Sequence, residues 1–206
     1  MTIQGRILKR IHGRGRGAVF TPMDFLDLGG RDAVDQTLSR LFRNGTIRRL
    51  DRGVYDFPAL SKRVGYRSPN QNMVVRSVSA RLGARVQRSG AYVANALGLS
   101  DHVPARAIFL TDGPNRTIRA GNRDIILRHA GPRNMIGAGS ITGDVYQALR
   151  FIGKEGINGR IIRILKERLS DNDKHRLSKD APLLPGWMQS TIQEIMTSGS
   201  RGIDRE

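Results

Sequence analysis

Cysteine is absent from the 206-residue chain. Disulfides, thiolate catalysis and cysteine-ligated zinc are excluded with it. No apolar run approaches the roughly 20 residues a membrane-spanning helix needs. The segment Met1 to Ile11 carries Arg6, Lys9 and Arg10 without an apolar stretch, so it does not read as a signal peptide. Cytoplasmic residence is the simplest expectation. Acidic residues are few: 18 Asp and Glu face 35 Lys and Arg, a net charge of +17. So large a charge repels itself and is relieved by a polyanion, which makes nucleic acid the leading partner class. Most of the basic residues are arginine, whose planar fork suits phosphate. No long helix combines a basic face with an apolar aromatic one, which disfavours an anionic membrane.

What is present is ordered. Ile3, Ile7, Leu8 and Ile11 recur at helical spacing, and the glycines of the GRGRG run at 13–17 end that helix. Val19 and Phe20 read as a short strand. Thr21 caps a second, short helix with Pro22 at its first position, where the missing N–H costs nothing. Gly29 and Gly30 make a turn. A third helix is expected from Arg31 to Arg43, with Val34, Leu38, Leu41 and Phe42 on one face, and Asn44-Gly45 stops it. Thr46 to Leu50 and Val54 to Phe57 are strands joined by the turn Asp51-Arg52-Gly53.

Helix, short helix, turn, helix and two-stranded ribbon is the order of a winged helix-turn-helix, whose third helix is placed to enter a DNA major groove. If Val34, Leu38 and Leu41 are buried, the opposite face presents Asp32, Asp35, Gln36, Ser39, Arg40 and Arg43. Gln36 can pair with adenine and Arg40 with guanine, each through two hydrogen bonds. Asp35 either accepts from cytosine or orients a neighbouring arginine. Arg31 can reach a phosphate from the helix N-terminus. Arg48, Arg49 and Arg52 on the ribbon can grip the flanking backbone, with Arg52 at the tip near the minor groove. A face of Gln, Ser and Arg is ordinary on a solvated helix. Its union with a basic ribbon in one helix-hairpin unit is what points to double-stranded DNA.

The fold class expected is α+β. Residues 1–60 form the winged helix-turn-helix. Residues 61–68 (SKRVGYRS), basic and periodicity-breaking, form a linker. Residues 69–206 form a mixed α/β domain with a helical C-terminal part. In that domain Ser68 is expected to cap a helix starting at Pro69. A strand follows at Ala84–Gln87, then a helix to Leu97, a strand at Ala107–Thr111 and a hairpin of Arg116–Arg119 with Asp124–His129. Helices are expected at Val145–Ile152, Ile161–Leu169 and Trp187–Met196, and a polar tail from Arg201.

Catalytic constellations are not found. The histidines at 12, 102, 129 and 175 are far apart and none lies in an HExxH. Gly139-Ser140 begins like a nucleotidyltransferase signature but lacks the paired carboxylates that would follow. Asp112 and Asp124 sit at turns, where aspartate is ordinary, and no Walker A motif occurs. No enzyme activity, cofactor or metal is expected. Arg116, Arg119, Arg123, Arg128 and Arg133 gather around the hairpin and suit either a nucleic acid or an acidic protein.

The stretch Leu41 to Pro58, LFRNGTIRRLDRGVYDFP, resembles the wing of the AbiEi-type antitoxins of type IV toxin–antitoxin (abortive infection) systems. The segments QRSGAYVANALGL from Gln87, AIFLTD from Ala107 and ILRHAGPRN from Ile126 resemble the second domain of that family, in the same order. The resemblance covers roughly residues 5–150. It implies an autorepressor that binds inverted repeats in its own promoter through the winged helix; a dimer on the DNA is a separate expectation, not part of the resemblance. It also implies an antitoxin second domain that counteracts a nucleotidyltransferase-like toxin without needing direct contact with it. Matching positions put DNA contacts on Gln36, Ser39, Arg40, Arg43, Arg48, Arg49 and Arg52. A plain transcription factor whose second domain senses a ligand or dimerises is the alternative from another class, and a nuclease is a third.

Overall fold

The computed structural model describes residues 2–61, 63 and 65–197. The expected tail from Arg201 lies outside them. The chain is α+β and divides into two units. One takes the chain up to Val86 together with Arg106–His129, and the other takes Gln87–Ala105 and the chain from Ala130 onward. The division does not fall at 61–68. Leu60–Ser61 (β4) and Gly65–Tyr66 (β5) pair antiparallel there, and Arg67 N–H donates to the Ala59 carbonyl at 2.8 Å, inside the first unit.

In the first unit, Ile3–Arg14 forms helix α1, whose N-terminus is capped where the Thr2 hydroxyl accepts the Gly5 N–H at 3.2 Å. Ile7 and Ile11, one turn apart, are fully buried. Val19–Phe20 (β1) leads to a 3-10 helix at Pro22–Leu28. Its tight winding replaces the α-helical turn the sequence suggests. Its entry is fixed where Asp24 Oδ2 accepts from the Thr21 N–H at 2.7 Å and hydroxyl at 3.0 Å. Arg31–Arg43 forms α2 as expected, burying Val34, Thr37, Leu38 and Leu41, but Phe42, expected on the same face, is exposed, being one residue past Leu41 and so turned about 100° from it. It stops at Gly45, whose positive φ of 76° sends the chain back so that Thr46 and Ile47 both donate to the Leu41 carbonyl.

Arg48–Asp51 (β2) and Val54–Asp56 (β3) form the ribbon, with β3 central between β1 and β2. Every residue of β3 is buried. The cause is a core on each face, reached alternately because successive strand side chains point oppositely. Tyr55 joins Ile7, Ile11, Phe20, Phe25, Val34, Leu38 and Leu41. Val54 and Leu50 join a second core with Val74, Val75 and Val78 from α3 (Gln71–Leu82) and with Phe109, Ile118, Ile125 and Leu127. The last four come from β7 (Ala107–Thr111), β8 (Arg116–Ala120) and β9 (Arg123–His129), where β9 runs parallel to β7 and antiparallel to β8. Asn70 rather than Ser68 caps α3, its Oδ1 accepting from the Asn72 and Met73 N–H groups. Between α3 and β7 lie β6 (Val86–Arg88) and α4 (Gly90–Ala96).

The second unit is helical: α4, α5 (Ile141–Ile152), α6 (Gly159–Arg168), α7 (Asp171–Asp180) and α8 (Gly186–Met196). Thr142 through Leu149 of α5 are all buried, which makes it the central helix. Helix α7 has no counterpart in the sequence reading. It buries only Leu177 and is held at its start by a reciprocal Ser170–Asp173 cap, so it lacks the apolar stripe that periodicity detects. Trp187 packs, half-buried, against the helical core. No helix among the described residues is long and apolar enough to cross a membrane.

Candidate nucleic-acid interface

With Val34, Leu38 and Leu41 at 0–1% exposure, α2 can rotate no further, and its opposite face is fixed outward. Asp35, Gln36, Ser39, Arg40 and Arg43 line one shallow depression on that face. Arg31 Nε donates to Asp35 Oδ2 at 2.7 Å, one turn along the helix. Asp35 therefore orients an arginine, one of the two roles its position allowed. Arg40 Nη1 donates to Gln4 Oε1 of α1 at 3.1 Å, and Arg43 Nη2 to Ser39 Oγ at 3.3 Å. These are exposed, neutral-acceptor bonds that cost little to exchange for a base edge or a phosphate. Gln36 is exposed and has no hydrogen-bond partner among the described residues.

The ribbon separates its three arginines. Arg49 and Arg52 are exposed, without a hydrogen bond or ion pair among the described residues. Arg48 is committed elsewhere. Its Nε donates to Asp56 Oδ1 at 3.0 Å, its Nη2 to the Arg67 carbonyl at 3.0 Å, and its guanidinium lies 5.5 Å from the Tyr66 ring centroid. Asp56 is completely buried. Such a carboxylate needs a cation beside it. Grouping Arg48 with Arg49 as a free backbone grip therefore does not describe its environment. Nothing in the local sequence distinguishes the two, because the pairing is cross-strand.

The tip of the ribbon is also tied down. Asp51 Oδ2 accepts from Arg116 Nη1 of β8 at 2.8 Å, and Arg81 Nη2 of α3 lies 3.7 Å from the same oxygen, close enough for ion pairing but not for a hydrogen bond. Arg81 Nε and Nη2 and Arg116 Nε are buried without a hydrogen-bond partner among the described residues. The five arginines grouped in sequence around the hairpin thus differ in role. Arg116 is a half-buried structural cation, and Arg119, Arg123, Arg128 and Arg133 are exposed.

Beside α2, Asp24 is held below the usual aspartate range. Burial pushes its pKa up, but the Thr21 N–H, the Arg14 guanidinium and the Thr21 hydroxyl outweigh it. Asp27 is likewise lowered by its two hydrogen bonds from Arg10, which is raised in turn. Asp112 is lowered by Arg85, whose Nε and N–H donate to it at 2.8 and 2.7 Å. That carboxylate closes a loop. Ser140, of the Gly139-Ser140 pair, caps α5, its Oγ accepting from the Gly143 N–H at 3.4 Å. Among the described residues, no three His, Asp or Glu side chains converge as metal ligands would.

A family model matches residues 6–177. The chain belongs to the DUF6088 family. That family is described as one of unknown function. This DUF6088 chain is also similar to the crystal structure of RV2827C protein from Mycobacterium tuberculosis. The identity is 17%, over 97% of this chain and 83% of that one, and the TM-score is 0.46. No curated protein matches.

Proposed function

We propose that residues 1–60 are a winged helix-turn-helix and that the chain is a DNA-binding transcriptional autorepressor. Helix α2 is the recognition helix and the β2–β3 ribbon the wing. The observation that carries this reading is the exposed strip Gln36, Arg40 and Arg43 on a helix whose other face is locked in the core, with Arg49 and Arg52 free on the ribbon. Gln36 and Arg40 read bases, while Arg31, Arg43, Arg49 and Arg52 meet phosphates. Ser39 and Asp35 set the arginines beside them. The net charge of +17 supplies the long-range attraction.

On the resemblance of its wing and later segments to the AbiEi-type antitoxins, we further propose that the chain is the antitoxin of a type IV toxin–antitoxin system. It then counteracts a nucleotidyltransferase-like toxin. No cofactor or metal enters this reading, and the chain is not proposed to be an enzyme.

Gel-shift titration of the chain's own upstream region tests the repressor reading. Binding that is lost in Arg40→Ala and retained in an exposed control away from α2 and the ribbon, such as Glu155→Gln, supports it; equal binding by Arg40→Ala, Gln36→Ala, Arg49→Ala and the parent overturns it. Co-expression with the adjacent gene tests the antitoxin reading. Rescue of growth supports it. DNA binding without rescue leaves a plain regulator.

A further inference from the structure

We infer that the β8–β9 hairpin is a second phosphate-contacting element of the same duplex interface, with Arg119 and Arg123 as its contacts. This rests on the DNA-binding reading and extends it beyond the helix and wing. Four observations within the first unit carry it.

First, β8 is pinned alongside β2 at both ends. At the wing tip, Arg116 holds Asp51, the residue before Arg52, at 2.8 Å. At the other end, the hairpin turn at Gly121 packs on Ser68, where a Cβ would meet Ser68 Oγ at 2.7 Å, and Asn122 N–H donates to that oxygen at 3.4 Å. Ser68 follows Arg67, whose carbonyl accepts from Arg48 of β2. Ile118 and Ala120 share one core with Leu50 and Val54 of the ribbon. The hairpin is therefore held against the ribbon, on the face that carries Leu50 and Val54.

Second, the two arginines are free. Arg119 and Arg123 are exposed, with no hydrogen bond or ion pair among the described residues. Asp124 stands opposite Arg119 in the ladder and is exposed, yet no ion pair joins them. Third, residues 116–129 hold four arginines and one aspartate, so the hairpin stays strongly positive after that neighbour is counted. Fourth, none of the exposed large apolar side chains lies on β8 or β9. A docking face for a folded protein is built around aromatic and apolar anchors, so a polyanion fits this hairpin better than an acidic protein.

Arg119 lies on the sheet face opposite Arg116, Ile118 and Ala120, and Arg123 stands across from Ala120 at the end of the hairpin. At about 3.3 Å per residue, Arg119 stands about 10 Å along the strand from Arg116, which touches the wing tip. The Debye length is about 10 Å at 0.1 M salt and about 8 Å at physiological salt, so the charge of Arg119 adds to the field around the wing chiefly at low salt.

The test is fluorescence anisotropy with a labelled duplex spanning the chain's own upstream region, and with a scrambled duplex, across a salt series. Removing two phosphate contacts, in Arg119→Gln/Arg123→Gln, is expected to lower the slope of log K against log salt by about 2. Affinity should fall about 30-fold near 150 mM salt, equally for both duplexes, and Arg119→Lys/Arg123→Lys should restore most of it. An unchanged slope in the glutamine variant overturns the inference. If Arg40→Ala meanwhile loses its preference for the upstream duplex, the helix-and-wing reading survives without the hairpin. A parent chain that binds neither duplex removes both. The thermal melting midpoint of each variant is read alongside; should the double glutamine variant unfold, Arg123→Gln alone carries the test, with an expected slope change of about 1.

Discussion

Arg48 and Asp56 face each other across β2 and β3, the guanidinium Nε 3.0 Å from Oδ1 of a carboxylate with no solvent exposure. Removing the cation leaves that carboxylate buried and unpaired, which costs about 3–5 kcal/mol. Arg48→Ala is therefore expected to lower the urea midpoint sharply, by that amount of stability. Arg49→Ala, one residue on and exposed, should stay within about 0.5 kcal/mol of the parent. In duplex binding the order reverses for folded protein: Arg49→Ala weakens binding to every sequence and flattens its salt dependence. Equal urea midpoints for the two variants would count against the assignment of Arg48 to the fold.

Gln36 and Arg40 project from the outward face of α2, and on the proposed reading they contact base edges. Gln36→Ala and Arg40→Ala are each expected to cost about 1–3 kcal/mol of binding to the upstream duplex and much less to a scrambled one. The ratio of the two dissociation constants, measured at one fixed salt concentration, is the readout. A parallel loss on both duplexes would make these residues phosphate contacts instead.

Asp24 fixes the entry to the 3-10 helix that precedes α2. Its carboxyl titrates below its unfolded value, since the Thr21 and Arg14 hydrogen bonds outweigh the burial that opposes them. A carboxyl depressed in the fold contributes stability above its unfolded pKa of about 3.9 and loses it as pH falls through the lower, folded value. Asp24→Asn is expected to be less stable than the parent at neutral pH, with the gap closing below about pH 4. Chemical denaturation at a series of pH values measures this. A gap that stays constant through the acid range would sink the argument.

Gly90 opens α4 where it crosses α5. A Cβ there would lie 2.5 Å from the Gln147 carbonyl oxygen and 2.7 Å from Phe151 Cβ. Alanine gains about 1 kcal/mol of helix propensity over glycine, but a clash with helix backbone is not relieved by turning a side chain. Gly90→Ala is thus expected to destabilise the helical unit by about 1–3 kcal/mol. Circular dichroism melting would register it. A more stable variant would mean the two helices can separate without cost.

Local signals were legible in the sequence. Thr21-Pro22, Asn44-Gly45 and Asp51-Arg52-Gly53 mark boundaries through backbone chemistry that acts within a few residues, and α2 runs from Arg31 to Arg43 as its periodicity requires. The outward set Gln36, Arg40 and Arg43 follows from that periodicity alone. The limits are equally physical. Helix α7 escaped because a cap and one leucine leave almost no apolar pattern. The break expected at 61–68 followed a basic stretch with Gly65 inside it and Pro69 just after it, but division into units depends on which distant strands share a core.

The residues by themselves determined the helix of α2, the face it turns outward and the positive charge of the whole, since each depends on spacing or composition. Only the tertiary structure decided which arginines are free. Asp56 claims Arg48 and Asp51 claims Arg116 across 8 and 65 residues of chain, because a carboxylate sheltered from water takes the nearest cation in space, and chain distance does not encode that.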